Sequence, residues 1–484
     1  MYGWLLISTY LRRKLAPLFA ALAVTLCTFM VVTVISVMSG FIEELRRSAK
    51  KLTGDLIVTG LGGPLTDYEA LSGRLVALPD IDAATPVVRG FGLLQIGDFA
   101  KPVALVGVRP GELDRVMPYV ETLLWDGTET PRRGGTFPPG LLRQAGSTLT
   151  LPDAPGDDDP WGWLVEQGAE PPPAVVIGVE VNPRHTRDEA GRYDPANALS
   201  GWGVSLIVAP PDLTQLGERK PARRRVVVVN EFKSGLYQVD EQTVFVPFDW
   251  LQSAVEMQEK NFFPEYDELG RPLGDPVVRP AGASELLLKT APGVDLSAAQ
   301  RAVEVVCAAY AAEAGVFTPR VTTWEQQHGR FLSAVENERF LIVMLFVIVS
   351  GTAVVMVAST FYMIVLEKTR DIGLLRAIGA SRRSVTGMFL GYGLAIGVIG
   401  AGLGVTGAVV LVTQLNPVQD WIAATFGWRM WDPRTYFFDE IPARINAVET
   451  GAIAAGAVVS SVLGAVIPAV FAARVDPIRS LRYE

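Results

Sequence analysis

The sequence predicts a four-helix transmembrane protein with a large α+β domain outside the membrane, inserted between the first two spans. Four stretches without a charged residue are each longer than the roughly 20 apolar residues that cross a bilayer core. They are residues 15–42, 340–366, 384–415 and 450–473. The segment between the first two stretches is polar and rich in Pro and Gly, and it is long enough to bury cores of its own.

The first span is expected to be an uncleaved helix. Its apolar run is about twice as long as that of a typical signal peptide, and no A-x-A cleavage site follows it. Leu26 stands where a small residue would precede a lipidated cysteine, so Cys27 does not indicate a lipoprotein signal.

Lys and Arg near the ends of the spans predict the orientation, because these residues are enriched on the cytoplasmic side. Three basic groups fall on one side of a four-span layout, so both termini are expected inside (N-in, C-in). The groups are Arg12, Arg13 and Lys14, then Lys368, Arg370, Arg376, Arg382 and Arg383, then Arg474, Arg479 and Arg482.

This layout divides the chain into nine segments. They are a cytoplasmic N-terminus (1–14), the first span (15–42), the external domain (43–338), the second span (340–366), a cytoplasmic helix (367–383), the third span (384–415), an external loop (416–449), the fourth span (450–473) and a cytoplasmic tail (474–484).

Within the external domain, residues 43–89 and 284–338 are predicted to form one subdomain beside the membrane, with a β-rich insertion at 90–260. Helical spacing indicates helices at 67–78 and 296–314. Residues 131–173, where Pro, Gly and Asp cluster, are expected to be a poorly ordered excursion. Strand-like runs occur at 55–59, 85–88, 93–96, 102–108, 174–181, 203–209, 225–230, 242–247, 285–289 and 316–322.

The composition argues against nucleic-acid binding and against an intramolecular disulfide. A net charge of −8, without a basic field beyond the cytoplasmic face, argues against nucleic-acid binding. The two cysteines, Cys27 and Cys307, fall in a span and in the external domain, so they are not expected to form a disulfide.

No resident metal, cofactor or catalytic group is expected. Asp157–Asp159 lack the spacing and the glycine of an EF-hand loop. His185, with Asp188 and Glu189, lacks zinc-ligand spacing, and His328 stands alone. The sequence contains no G-x-x-x-x-G-K-[ST] motif, so hydrolysis of ATP is expected on another polypeptide.

The third span carries three G-x-x-x-G pairs, which permit close approach of helix backbones in lipid. We expect them to form a packing seam in a crowded bundle or a dimer; ordinary glycine enrichment of membrane helices is the alternative. The glycines are Gly387, Gly391, Gly393, Gly397, Gly400 and Gly404.

A short charged segment joins the second and third spans and is predicted to be an amphipathic helix at the membrane surface. Ile372, Leu375 and Ile378 share one stripe, and Gly379 suits the C-cap. Glu367 can pair with Arg370 at i, i+3. A soluble partner could push on the membrane protein here; a helix that only anchors the turn is the alternative.

The segment LEKTRDIGLLRAIGAS resembles the cytoplasmic coupling segment of the FtsX-like permease family, the membrane subunits of ABC systems that include the lipoprotein-releasing permeases and MacB. TVISVMSGF resembles the end of the family's first span, and WEQQHGRFLSAVENER resembles the approach to its second. RRRVVVVNEFKSGLYQVDEQTVFVPFDWLQ and RVDPIRSLRYE are similar to the lipoprotein-releasing branch in particular.

The resemblance implies a permease with a MacB-like periplasmic core domain in a bacterial inner membrane, paired with a second permease subunit and a separate ABC ATPase. It implies mechanotransmission, in which the ATPase moves the coupling helix and a lipoprotein is extracted from the outer leaflet for a periplasmic carrier. The residues that it implicates in ATPase coupling are Glu367, Lys368, Arg370, Asp371, Ile372, Gly373, Leu375, Arg376, Ile378 and Gly379.

The loop at 209–225 resembles the hook with which the lipoprotein-releasing branch engages its carrier. Flanking prolines stiffen such a loop and lower the entropic cost of binding; an ordinary solvated hairpin is the alternative. The proposed hook residues are Pro210, Pro211, Lys220, Pro221, Arg223 and Arg224.

The chain departs from the family pattern in two enlarged segments, 111–173 and 182–200, and in lacking a Phe-Asn pair near 353–355. The cargo is therefore open. A peptide or small-molecule exporter and an FtsX-like regulator of cell-wall hydrolases are alternatives within the family. A membrane-anchored sensor or adhesion domain is an alternative of another class.

Overall fold

The computed structural model describes residues 15–50, 54–132, 135–152, 161, 171–188, 191–209, 222–262, 265–266, 272–273, 277–327, 329–426, 431 and 440–475. The chain divides into two compact units. The helical unit comprises Met1–Glu44, Phe331–Trp431 and Glu440–Glu484, and the sheet unit comprises Leu45–Arg330 and Asp432–Asp439.

The described residues form thirteen α-helices, and four of them are long and apolar enough to cross a membrane. These candidate spans lie at Leu18–Glu44, Phe340–Glu367, Arg382–Thr413 and Ala447–Arg474, close to the predicted positions. The helices are α1 (Leu15–Lys50), α2 (Tyr68–Val76), α3 (Pro110–Val116), α4 (Leu141–Thr148), α5 (Tyr237–Asp240), α6 (Phe248–Ala254), α7 (Leu296–Ala314), α8 (Trp324–Gln327), α9 (Gly329–Glu367), α10 (Thr369–Ala377), α11 (Arg382–Thr413), α12 (Leu415–Phe426) and α13 (Ala447–Arg474).

In the helical unit, α11 and α13 pack closely along their length. A buried cluster that includes Val24, Phe361, Phe389, Ile396 and Ala465 joins α1, α9, α11 and α13. Because lipid tails are as apolar as these side chains, close packing holds such helices together, not the exclusion of water.

Part of the loop predicted at 416–449 is helical. Helix α12 follows α11 after the single residue Gln414, whose N–H bonds to the carbonyls of Val410 and Leu411. Asn446 caps the next helix, α13, by accepting a hydrogen bond from the N–H of Val448 at 3.0 Å. Helix α12 was not predicted from the sequence.

The strands of the sheet unit belong to one large sheet and several two-stranded ribbons. They are β1 (Leu56–Thr59), β2 (Leu65–Thr66), β3 (Ile81–Ile96), β4 (Phe99–Val108), β5 (Pro131–Arg132), β6 (Gly135–Thr136), β7 (Ala174–Gly178), β8 (Trp202–Val208), β9 (Ala222–Phe232), β10 (Thr243–Pro247), β11 (Lys260–Phe262), β12 (Glu265–Tyr266), β13 (Pro272–Leu273), β14 (Val277–Arg279), β15 (Gly282–Ala283), β16 (Glu285–Thr290) and β17 (Arg320–Thr323). Short 3-10 turns lie at Val120–Thr122, Val179–Val181 and Pro195–Asn197.

The nine-stranded sheet has the order β17-β1-β16-β3-β4-β10-β7-β9-β8, and β8 also pairs with β3. Six strands therefore close into a ring, in the order β3-β4-β10-β7-β9-β8. The other three strands, β17, β1 and β16, extend from the ring as an open sheet. Most neighbours are antiparallel; β10 pairs with β4, and β7 with β9, in parallel.

Strand β3 belongs to both parts of this sheet. Its first half pairs with β16 and its second half with β4 and β8, so the predicted subdomain boundary at 89/90 falls inside one strand. The two separate strands predicted at 85–88 and 93–96 are one. A Cβ at Gly92 would lie 2.7 Å from the carbonyl oxygen of Ile207, so glycine permits the close approach of β8.

Two apolar clusters cover the sheet. One contains alternate residues of the ring, such as Leu94 and Leu206, and continues to α2 and α7. The other lies against α3 and α4, where Leu113 and Leu142 are buried. Helix α4 lies within the predicted excursion at 131–173, so that prediction is wrong for residues 141–148; residues 153–160 and 162–170 lie outside the described part of the chain.

Candidate functional site

The turn between the second and third candidate spans is the first candidate site. A single residue, Lys368, separates the end of α9 from the start of α10. The Nζ atom of Lys368 lies 2.6 Å from Oδ2 of Asp371, an i, i+3 ion pair on the exposed side of the turn. The predicted pairing of Glu367 with Arg370, both of which are exposed, stays a prediction.

Helix α10 ends in a Schellman motif centred on Gly379. The N–H of Gly379 bonds to the carbonyl of Arg376 and the N–H of Ala380 to that of Leu375, each at 3.1 Å. The φ angle of Gly379 is +108°, in the left-handed region that favours glycine. The C-cap predicted at this glycine is therefore confirmed.

One face of α10 is fixed to the bundle. Ile372 is only 2% exposed and belongs to the apolar cluster that contains Val365 of α9 and Val385 of α11. The guanidinium of Arg376 donates to the main-chain carbonyl of Val475, just beyond the end of α13. The helix is thus connected to the ends of three candidate spans.

The opposite face of α10 is open and carries apolar side chains beside the Lys368–Asp371 pair. Leu375 is 40% exposed and Ile378 is 77% exposed, and Leu374 is exposed beside them. The predicted stripe of Ile372, Leu375 and Ile378 is therefore divided, since Ile372 packs inward while the other two face outward. Leu374 was missed because spacing alone does not reveal which of two apolar faces the bundle covers.

Four of the six predicted packing glycines lie at helix contacts. A Cβ at Gly393 would lie 2.7 Å from Cβ of Ala465 on α13, and one at Gly397 would lie 3.0 Å from Cβ of Ser461. Gly400 approaches Val24 on α1, and Gly404 approaches Thr25 and Thr28. One face of α11 therefore packs on α13 near its start and on α1 farther along.

The other two glycines differ from this pattern. Gly387 is exposed and has open space where a Cβ would be, and Gly391 is half-buried. Gly387 makes no helix contact within this chain, so its place in a dimer seam stays a prediction.

The proposed hook is described only at its base. Pro210, Pro211, Lys220 and Pro221 lie outside the described residues. Arg223 and Arg224 belong to strand β9, where they pair with Ile207 and Leu206 of β8. Both arginines are exposed, and Nη2 of Arg223 donates to Oγ of Ser205 at 3.2 Å.

A buried polar cluster in the sheet unit centres on Glu231. Its carboxylate accepts hydrogen bonds from Nε1 of Trp125 at 2.7 Å, Nδ2 of Asn182 at 2.9 Å and the N–H of Leu199 at 3.0 Å. Burial outweighs these bonds and raises the pKa of the Glu231 carboxyl to about 7.

His185 lies beside this carboxylate, with Nε2 3.8 Å from Oε2 of Glu231. Burial lowers the pKa of its imidazole to about 4, and its ring stacks on Tyr193 with centroids 4.3 Å apart. Among the described residues, no group of three or more His, Cys, Asp or Glu side chains could hold a metal ion. The cluster connects the enlarged segment at 182–200 to strand β9. The spacing of residues in the sequence did not predict this connection.

Comparison with known families matches residues 343–477 to the FtsX-like permease C-terminal model. The chain is 23% identical over 463 residues to the lipoprotein-releasing system transmembrane protein LolC of Xylella fastidiosa, which covers 96% of this chain and 92% of the relative. It is 22% identical over 453 residues to LolC of Neisseria meningitidis, covering 94% and 90% of the two chains. A shorter similarity, 25% identity over 158 residues, links it to LolE of Haemophilus influenzae and covers 33% of this chain and 38% of LolE.

Two solved structures resemble part of the chain. The periplasmic region of MacB from Actinobacillus actinomycetemcomitans covers 58% of this chain and 95% of its own, with 11% identity and a TM-score of 0.27. The extracellular domain of the noncanonic ABC-type transporter YknZ from Gram-positive bacteria covers 56% of this chain and 100% of its own, with 10% identity and a TM-score of 0.25.

Proposed function

Because residues 343–477 carry an FtsX-like permease C-terminal domain, we propose that the chain is the permease subunit of an ABC transporter that releases lipoproteins from a bacterial inner membrane. It works with a separate ATPase and a second permease subunit, either another copy or a paralogue. Its similarity to LolC over 96% of the chain supports this assignment.

The observation that carries the proposal is the two-sided arrangement of α10. Ile372 and Arg376 attach the helix to the bundle, and Leu374, Leu375 and Ile378 form an open apolar surface on its other side. An apolar surface of this kind, with charged residues near it, fits a cleft on a soluble partner. The partner would be the ATPase.

The same arrangement explains how work enters the membrane subunit. A push on α10 acts on the ends of α9, α11 and α13, through the cluster that contains Ile372 and through the Arg376 contact with Val475. The glycine contacts of α11 leave little free space against α13 and α1. Close-packed helices transmit a displacement and do not absorb it.

A lipidated protein is a suitable cargo for a transporter of this design. Its acyl chains already lie in the outer leaflet, so extraction is required and passage through a pore is not. Removing buried acyl carbons from lipid costs about 0.8 kcal/mol per CH₂, which calls for ATP. The cargo then passes to a periplasmic carrier held by the loop at 209–225. In this orientation both termini and α10 face the cytoplasm.

Replacement of Leu375 by Asp tests the ATPase contact. The Leu375→Asp variant places a charge in an apolar interface, and an unpaired buried charge costs several kcal/mol. We expect it to reach the membrane normally but to lose the co-expressed ATPase during affinity purification.

The Ala377→Asp variant is the matched control. Ala377 is exposed and lies in the same last turn of α10, about 160° around the helix from Leu375. It introduces the same charge on the side of α10 farthest from Leu375, at the edge of the apolar surface about 60° from Leu374, and should retain more ATPase than Leu375→Asp. Equal retention by both variants would overturn the proposed contact, and a wild-type chain that purifies without an ATPase would favour a sensor or adhesion protein.

A further inference from the structure

Helix α12 leaves much of its apolar face uncovered, although Leu415 and Ile422 are half-buried. Asn416, Gln419 and Asp420 lie on one face, and Leu415, Val418, Trp421, Ile422 and Phe426 lie on the other. In a soluble protein the apolar face would be covered by the rest of the chain. In α12 much of the apolar face is open, with Trp421 63% exposed and Phe426 70% exposed.

Two of the three polar side chains, Asn416 and Gln419, are held against the protein, while Asp420 is exposed. Gln419 is buried; its Oε1 accepts from the N–H of Trp431 at 3.1 Å and its Nε2 donates to the carbonyl of Trp431 at 3.3 Å. Oδ1 of Asn416 accepts from the N–H of Ile441 at 3.0 Å. The side-chain amides thus hold the chain that returns towards α13, and this fixes which face is turned outward.

The returning chain is itself attached to the last turns of the first candidate span, within α1. The N–H of Arg444 donates to the carbonyl of Ser36 at 2.9 Å, and Nη1 of Arg444 lies 3.1 Å from Oε2 of Glu43. A Cβ at Gly40 would lie 2.6 Å from the backbone of Ala443. Helix α12 is therefore held at the end of the bundle where the first candidate span ends at Glu44 and the third at Thr413.

We propose that α12 lies flat in the lipid headgroup region, with Val418, Trp421 and Phe426 inserted towards the acyl chains of the leaflet at the C-terminal end of α11. Twelve residues of helix extend about 18 Å, too short to cross a hydrocarbon core of about 30 Å. Indole rings favour the boundary between headgroups and acyl chains. In the orientation of the proposed function, this is the outer leaflet.

The chemistry of the face favours lipid over a second copy of the chain. Helices that associate within membranes do so through small residues that let backbones approach, and in this chain such residues lie on α11. The open face of α12 instead carries large side chains. Asp420 is the only charged residue of α12, so insertion depends on apolar contact and not on attraction to anionic lipids.

Site-directed spin labelling of the full-length protein in liposomes tests this placement. Single cysteines replace Val418, Trp421 or, as the control, Asp420, which lies about 160° around the helix from Val418; Cys27→Ser and Cys307→Ala remove the native thiols. We expect the ratio of collision rates with oxygen to those with a water-soluble nickel chelate to be several-fold higher at 418 and 421 than at 420. The ratio should stay the same when phosphatidylglycerol replaces part of the phosphatidylcholine.

Two results would overturn the proposal. Free access of the nickel chelate to positions 418 and 421 would place the apolar face in water. Immobile labels at 418 and 421 that neither reagent reaches, with a short dipolar distance between labels on two chains, would place a second copy on this face. Neither result would affect the ATPase contact of α10, which is tested separately.

Discussion

At the scale of single residues, the glycines of α11 show how one missing methyl group decides a contact. A Cβ at Gly404 would lie 2.7 Å from both the carbonyl oxygen of Thr25 and the Cβ of Thr28. Two residues earlier, a Cβ at Gly402 would meet nothing within 4 Å. The same residue type is thus indispensable at one position and replaceable at the other.

The Gly404→Ala variant should be less stable than the wild type. The added methyl group must push α1 away from α11, and overpacking of this kind costs about 1–3 kcal/mol. Gly402→Ala is the control, and the higher helix propensity of alanine should leave it neutral or stabilise it by up to about 1 kcal/mol. Thermal unfolding in detergent measures both, and equal midpoints for the two variants would contradict the packing seam.

The carboxyl of Glu231 predicts a pH dependence of the sheet unit. Its pKa is about 7 in the folded protein against the ordinary value of 4.5 for a glutamate carboxyl, so the folded state holds the proton more strongly. The contribution of Glu231 to stability is therefore full below about pH 4.5 and is lost as the pH rises to about 7. At about 1.36 kcal/mol per pKa unit, the loss is at most roughly 3 kcal/mol.

The Glu231→Gln variant cannot titrate at this position. It should be less stable than the wild type at pH 4.5, because an amide cannot reproduce all three hydrogen bonds of Glu231. The difference in the free energy of unfolding between the wild type and the variant should narrow between pH 4.5 and 7 and then stay constant. Pulse proteolysis of the full chain in urea measures it, and a difference that does not change with pH would show that Glu231 has no raised pKa.

At the scale of elements, hydropathy and periodicity predicted the positions of many elements. They predicted much less about which face of an element is covered and which strand it pairs with. The four apolar runs correspond to the four candidate spans, and helix α7 has the predicted bounds. The single strand β3 was missed because its pairing partner changes midway, from β16 to β4. Helix α12 was missed because a short apolar helix held by side-chain amides has no sequence signature distinct from a loop.

The β8–β9 hairpin carries the prediction about the carrier. Arg223 and Arg224 stand at the base of the proposed hook and are exposed. Reversal of both to Glu should weaken binding of a periplasmic carrier, chiefly by slowing association, because exposed charges act on encounter rates. Surface plasmon resonance of the full-length protein in nanodiscs measures the rate.

Arg115→Glu together with Arg143→Glu gives a control with the same change in charge, made in helices α3 and α4; α4 packs on β9 at Asn230, seven residues along the strand from Arg223. The control should bind the carrier at the wild-type rate. An equal loss in both variants would indicate a general charge effect and would remove the hook assignment.

At the scale of the whole molecule, the sequence predicted the class of protein better than its individual contacts. The resemblance in the coupling segment agrees with the family match at residues 343–477. Which face of α10 is free was not predictable, because this depends on how three other helices pack around it. The contacts are with Val365 of α9, Val385 of α11 and the carbonyl of Val475 after α13. The buried pair of His185 and Glu231 depends in the same way on the approach of two remote segments.

The central claim is that α10 transmits the work of a separate ATPase to lipoprotein release. The most direct measurement is ATP-dependent release of a fluorescent lipoprotein from liposomes that contain the chain, its ATPase and a partner permease, with a soluble carrier outside. We predict release by the wild type and by Ala377→Asp, and none by Ile378→Asp, in which a charge replaces the most exposed apolar residue of the coupling turn. ATP-dependent release by Ile378→Asp at the wild-type rate would contradict the account.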